Sequence, residues 1–131
     1  MTIFRFSLAA SALLFVSSSA TMATLTFEPP LHKFKSGNQL LSECNTEKSD
    51  PAYTRRYLAC LGYVAGVIDQ HETLVSLHKL ERQFCLRPNV NLDQATDVVV
   101  GWLRRNPKER DLTASLLINF ALQDAFPCRT S

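Results

Sequence analysis

Little in this chain is in excess. Its 14 Lys and Arg against 12 Asp and Glu leave a formal charge of +2, too small a basic surplus for the phosphate neutralisation that a dedicated nucleic-acid binder needs. Four glycines and six prolines in 131 residues exclude collagen-like or linker-like sequence. At 46% hydrophobic residues the chain is not a disordered one, and its length suits one domain. No two of the four cysteines form a C-x-x-C pair, the close spacing of structural zinc sites. The apolar run from Phe6 to Val16 is too short to cross a hydrocarbon core of roughly 30 Å as a helix.

That run has another use. Arg5 precedes it, and Ser17-Ser18-Ser19-Ala20 follows, with small residues at Ser18 and Ala20, where a signal peptidase reads. Residues 1–20 are therefore expected to be a cleaved signal peptide, 21–34 an N-terminal arm carrying His32, and 35–128 the folded domain. Cleavage leaves 111 residues with 13 basic and 12 acidic side chains, a near-neutral, soluble, periplasmic or secreted protein without a membrane anchor. In an oxidising compartment Cys44, Cys60, Cys85 and Cys128 are expected to form two disulfides. Four cysteines allow three pairings.

The domain reads as all-α, a small bundle of four main helices. Ser36 with Gln39 fits a capping box opening a first helix that carries Leu40, Leu41 and Cys44. Asp50-Pro51 is expected to open the second, Asp50 as cap and Pro51 at the first helical position. Tyr53, Tyr57, Cys60, Val64, Val67, His71 and Leu74 then recur at helical period, running to about Leu80. Asn91 with Gln94 starts a third helix through Leu92, Ala95, Val98, Val99, Trp102 and Leu103, which stops at Asn106 before Pro107. Asn106-Pro107-Lys108-Glu109 is expected to cap a fourth directly, with its stripe at Leu112, Leu116, Leu117, Phe120, Ala121 and Ala125. No alternating run is long enough for a strand. Two helices sharing so short a turn form a hairpin or a sharply angled pair. In a hairpin Cys85, before the third helix, meets Cys128, after the fourth, and Cys44 then pairs with Cys60.

Chemistry-bearing constellations are few. His71 and His78 stand seven residues apart on the second helix, about 10 Å along its axis, too far to share a metal. Asp69 and Glu72, one turn apart, have no nucleophile near them in sequence and read as a solvated face. No strand–turn–helix nucleophile elbow occurs. The chain reads as non-enzymatic, with no catalytic residues, metal or cofactor. Two features look built for contact instead. Gly62 and Gly66, with Ala59 and Ala65, leave one side of the second helix without bulk. Packing within the chain is the default there, and a second copy is the alternative. Arg104, Arg105, Lys108, Glu109, Arg110 and Asp111 crowd one turn, which is either simply solvated or a binding rim with arginines free to grip carboxylates.

Ser36-Gly37-Asn38-Gln39-Leu40-Leu41 with Cys44, then Cys60-Leu61-Gly62-Tyr63-Val64-Ala65-Gly66-Val67-Ile68-Asp69, resembles the first half of the Rap/Tai family of type VI secretion immunity proteins. Phe84-Cys85-Leu86-Arg87-Pro88 with Val90, Asp97-Val98-Val99, Trp102-Leu103, Asn106-Pro107, Ala121-Leu122 and Ala125-Phe126-Pro127-Cys128 resemble the second half. One departure is Arg87-Pro88-Asn89-Val90, where the family pattern has Pro-x-Gly-Val. The resemblance implies a periplasmic, disulfide-bonded helical protein that binds a cognate effector toxin, typically a peptidoglycan amidase, and occludes its active site; several members are dimers. The contact surface expected here is the turn Arg104–Asp111, then the segment with His78, Lys79 and Arg82. The rival reading, from another class, is a small periplasmic helical chaperone or stress protein.

Overall fold

A computed structural model of the chain describes residues 33–128. The expected signal peptide and all but the end of the arm lie outside the described residues. Four α-helices follow in order: α1 (Gly37–Cys44), α2 (Tyr53–Ser76), α3 (Leu92–Arg105) and α4 (Ala114–Ala125). Among the described residues there is no strand, only one isolated antiparallel bridge, Ser36 with Thr113. The all-α bundle read from periodicity is the fold.

Two helices begin where their local sequence says they must. Ser36 Oγ accepts from Gln39 N while Gln39 Oε1 accepts from Ser36 N, and Asn91 and Gln94 repeat that exchange at α3. Each box satisfies two N–H groups that the first turn leaves unbonded. The ends of α2 differ from the sequence reading. Asp50 is spent on a turn before the helix: its Oδ1 accepts from Ala52 N at 2.7 Å and its carbonyl from Tyr53 N at 2.8 Å. Pro51 thus lies in that turn, and the helix starts at Tyr53. At the other end α2 stops at Ser76, short of Leu80. His78 takes φ 53°, its N–H returns to Val75 O and that of Lys79 to Leu74 O. This is a Schellman closure with histidine where glycine is usual.

The start of α4 is also corrected. Asn106 turns its side chain back to Trp102 O at 2.8 Å instead of capping forward, and Pro107–Glu109 form one 3-10 turn. The α-helix resumes only at Ala114, leaving Leu112 outside it. What holds the connection open is tertiary. Gly37 N donates to Leu112 O, Asn38 N to Arg110 O and Ala114 N to Lys35 O, so the 110–114 backbone is docked on the chain entering α1. Gly37 permits this approach: a Cβ there would overlap Leu117 Cδ1 and stand 3.0 Å from Arg110 O.

Leu40 of α1, Val64 of α2, Phe84 of the α2–α3 connection, Ala95, Val99 and Leu103 of α3, and Ala114, Leu117, Ile118, Ala121 and Leu122 of α4 form the buried core. Cys44 is bonded to Cys60 and Cys85 to Cys128, the pairing that the hairpin argument favoured. Cys85 N also donates to Phe126 O at 2.8 Å, so the end of α4 returns beside the segment leading into α3.

Candidate functional site

The charged turn after α3 splits into two kinds of residue. Arg104, Arg105, Lys108 and Glu109 are exposed. Arg104 reaches the side-chain oxygen of Asn45, Arg105 lies across Gly101, and neither Lys108 nor Glu109 has an ion-pair partner among the described residues. Arg110 and Asp111 are committed to the fold. Arg110 Nε donates to Leu103 O at 2.7 Å and its Nη2 to Arg104 O at 3.1 Å, closing carbonyls that the end of α3 leaves open. Asp111 accepts from Asn38 Nδ2 at 3.0 Å, and its carbonyl from Lys33 Nζ at 2.6 Å. The turn therefore leaves four of the six charges that its sequence advertises free of such bonds to the fold.

Beside it lies an apolar surface that the sequence reading assigned to the core. Leu112, Leu116 and Phe120 are each about 41–42% exposed, while Leu117 and Ala121, one position on, are buried. The stripe of α4 is wider than its core face, and only the 117/118/121/122 side packs inward. Phe120 meets Trp102 of α3 at 6.3 Å between ring centroids. Trp102, Arg105, Asn106 and Phe120 line one shallow cavity of about 660 Å³. The signal for this was present: residues 116 and 120 share one side of α4, apart from 117 and 121.

The second surface holds His78, Lys79 and Arg82, all exposed. Arg82 Nη1 donates to Glu72 Oε1 at 2.5 Å. That guanidinium holds the Glu72 carboxyl below the usual carboxylate range, against partial burial, which pushes the other way. His71, which falls on the apolar stripe read for the second helix, is buried at 2% exposure. Its ring stacks on Phe84 at 4.0 Å, and Nε2 accepts from Gln83 N at 3.2 Å, which leaves the neutral ring's proton on Nδ1. Histidine here fastens the α2–α3 connection to α2. Asp69 and Glu72 hold no nucleophile between them; Asp69 is exposed. Among the described residues no cluster of His, Cys, Asp or Glu is arranged to hold a metal, and no helix is long and apolar enough to cross a membrane.

Among the described residues nothing packs against Gly62 and Gly66. Both are exposed, and a Cβ built on either meets nothing within 4 Å. They border an open groove of about 580 Å³ between α2, the 80–83 segment and α4, whose apolar wall is Tyr63, Val67, Leu74 and Leu80.

These features define a small, doubly disulfide-bonded helical bundle whose distinctive surfaces are suited to contact. A family model described as Rap1a immunity proteins matches residues 36–128, and the chain belongs to that family. No curated protein and no solved structure matches it. Family membership identifies an immunity protein, whose partner is a cognate effector toxin, and bears out the resemblance read from the cysteine and glycine motifs.

Proposed function

We propose that the chain acts in the periplasm, binds a type VI secretion effector of the peptidoglycan-amidase class and occludes its active site without making or breaking a bond. The family match over residues 36–128 carries this reading, and the two disulfides support an exported protein. The contact surface is the exposed part of the charged turn, Arg104, Arg105, Lys108 and Glu109, with the adjoining Trp102–Phe120 pair and Leu116. Interfaces gain most from aromatic and arginine anchors beside a polar rim, and this is where the bundle sets them side by side. Arg110 and Asp111 support that surface from below. The His78–Arg82 segment is the second contact.

Co-expression with a neighbouring amidase-like reading frame directed to the periplasm tests the reading. Lysis should be abolished, and the purified pair should form a stoichiometric complex in which hydrolysis is lost. The double variant Arg105→Glu/Lys108→Glu should weaken that complex by at least about tenfold with unchanged melting. Unimpeded lysis, together with suppressed aggregation of unrelated acid-treated proteins, would replace immunity by the chaperone reading.

A further inference from the structure

The segment that leads from α2 toward α3 is held by very little. From Leu80 to Phe84 its backbone makes a single hydrogen bond among the described residues, from Gln83 N to His71 Nε2 at 3.2 Å. Two side-chain attachments accompany it. Phe84, fully buried in the core, stacks on the His71 ring at 4.0 Å, and Arg82 pairs with Glu72 at the surface. Two of these three attachments converge on one imidazole. Both ends of the segment are fixed independently of that ring. The His78 and Lys79 N–H groups close on the end of α2, while Cys85 is bonded to Cys128 and its N–H donates to Phe126 O.

An imidazole is a conditional acceptor, because Nε2 can take the Gln83 N–H only while the ring is neutral. The neutral ring then carries its proton on Nδ1. A second proton can enter only at Nε2, where it would meet the Gln83 N–H donor to donor. The surroundings provide no replacement. On α2, Glu72 Oε1 lies 3.7 Å from Nδ1 and is already claimed by Arg82 Nη1 at 2.5 Å. Buried Nδ1 has no hydrogen-bond partner of its own. The connection sets the Arg82 cation and the Phe84 ring on this side, and α4 sets Ser115 and Asn119 along the adjoining groove. Tyr63 is the other titratable group lining that groove, and no Asp, Glu, Lys or Arg lines it.

We infer that His71 is a proton-operated latch: when its ring charges, the Gln83 N–H is released and the 80–84 segment leaves α2, while α3 and α4 stay packed. The closed form holds the neutral ring, so closure is complete above the interval in which imidazoles change charge and is lost as the pH falls through it. The surface pair does not open first. The Arg82 guanidinium holds the Glu72 carboxyl below the usual carboxylate range, so that carboxyl is still charged when the ring takes its proton. Fixed ends keep the motion local, with the freed segment tethered between the end of α2 and the Cys85–Cys128 bond. What opening uncovers is apolar: the Phe84 ring and the wall of Tyr63, Val67 and Leu74. The latch is a property of the chain alone and does not depend on which effector it binds.

Amide exchange of the disulfide-bonded chain at about pH 7.5 and about pH 5, each site divided by its intrinsic rate, tests it. Protection of Gln83 and of residues 71–76 should fall at least about tenfold on acidification, and that of α3 and α4 should hold. Ring nitrogen shifts should place the neutral proton of His71 on Nδ1, and its charging should follow the same pH curve as Gln83 exchange. His71→Gln keeps an acceptor near the Nε2 position that does not titrate, so its Gln83 protection should be indifferent to pH. His78→Asn should retain the pH dependence of the parent. Gln83 protection that is flat across the interval overturns the latch, as does an equal fall in His71→Gln. If His71→Gln does not fold, the parent chain decides. A ring that charges without a change in Gln83 exchange, or a neutral ring protonated on Nε2, overturns the inference.

Discussion

Gly37→Ala is the substitution in which the fold's tightest contact can be weighed against helix propensity. Gly37 is the first residue of α1 and is buried. The new methyl overlaps Leu117 Cδ1 and lies 3.0 and 3.1 Å from the carbonyl oxygen and Cα of Arg110. None of these can yield easily. Leu117 is fully buried in the core, and the Arg110 backbone is held by Asn38 N at 3.0 Å while Gly37 N holds Leu112 O at 3.1 Å. Forcing a methyl into such a site costs about 1–3 kcal/mol, and alanine returns about 0.5–1 kcal/mol of helix propensity and reduced unfolded-state entropy. The net loss is roughly 1–2 kcal/mol, which for a domain of this size lowers the melting midpoint by roughly 5–15 °C. Gly101→Ala in α3 is the internal control, since its Cβ would meet only the tip of the Arg105 side chain at 3.3 Å. That tip swings aside in solvent, so the helix gain of about 0.5–1 kcal/mol survives. Urea and thermal unfolding followed by circular dichroism read both. If Gly37→Ala proves as stable as the parent chain, the docking of 110–112 on α1 is not the contact described.

Arg110→Ala should destabilise by about 1–2 kcal/mol in the same unfolding assay, through loss of its charged hydrogen bonds to the end of α3, whereas Arg105→Ala should shift stability by less than about 0.5 kcal/mol. His78→Gly should stabilise by about 0.5–1 kcal/mol, because φ 53° strains any side chain that has a Cβ; unchanged stability would discount the strain. The hydrogen bond to Asp93 at 2.7 Å, aided by partial burial, pushes the Tyr57 phenol up to about 12 from 10. A raised folded-state value means that this contribution is complete below pH 10 and is lost as the pH rises toward 12. Tyrosinate absorbance should lose its latest-titrating component in Asp93→Asn. Removing Cys85–Cys128, which closes 43 residues of separation, should cost about 4 kcal/mol, and removing Cys44–Cys60, which closes 16, about 3 kcal/mol in the chain-entropy account. The reverse order in paired Cys→Ala variants would refute that ranking.

How much was legible in the sequence followed from how local the deciding forces are. The starts of α1 and α3 were readable because a capping box is complete within four residues. The start of α4 was misread because Asn106-Pro107-Lys108-Glu109 spells a cap locally, while distant partners decide its use: Gly37 and Asn38 hold the 110–112 backbone, and Arg110 reaches back to Leu103 and Arg104. The end of α2 carries no glycine, so the left-handed His78 left no mark in the pattern. The disulfides were readable because helix order alone brings Cys85 to Cys128. Among candidate site residues, exposure of Arg104, Arg105, Lys108, His78, Lys79 and Arg82 agrees with the sequence reading. The engagement of Arg110 by the Leu103 and Arg104 carbonyls, and of Asp111 by Asn38 and Lys33, was not legible, since such pairings have no signature in composition. The lack of bulk at Gly62 and Gly66 was visible, but only packing could show that no part of the domain fills it.

The division of labour along α2 connects these observations. Of its 24 residues only Cys60, Val64 and His71 are fully buried, few for the longest helix of a domain this small. Beside the partly buried Tyr63, Val67 and Ile68, which pack on the core, two strong attachments hold it: the Cys44–Cys60 bond near its start, and the His71–Phe84 stack with the Gln83 N–H bond toward its end. A helix fixed at two such points does not need a broad apolar contact with the core, so its outer face from Leu58 to Gly66 is free to be small and uncharged rather than solubilising. That is also an arrangement in which a surface keeps its shape before a partner arrives, so little ordering cost is left to the encounter. It follows that His71→Ala should loosen the far half of α2 without unfolding the core. Amide exchange should quicken from His71 to Ser76 and through 80–83, while α3 and α4 keep their protection. Uniform acceleration across all four helices would mean instead that His71 supports the bundle as a whole, and that α2 is not held at separate points.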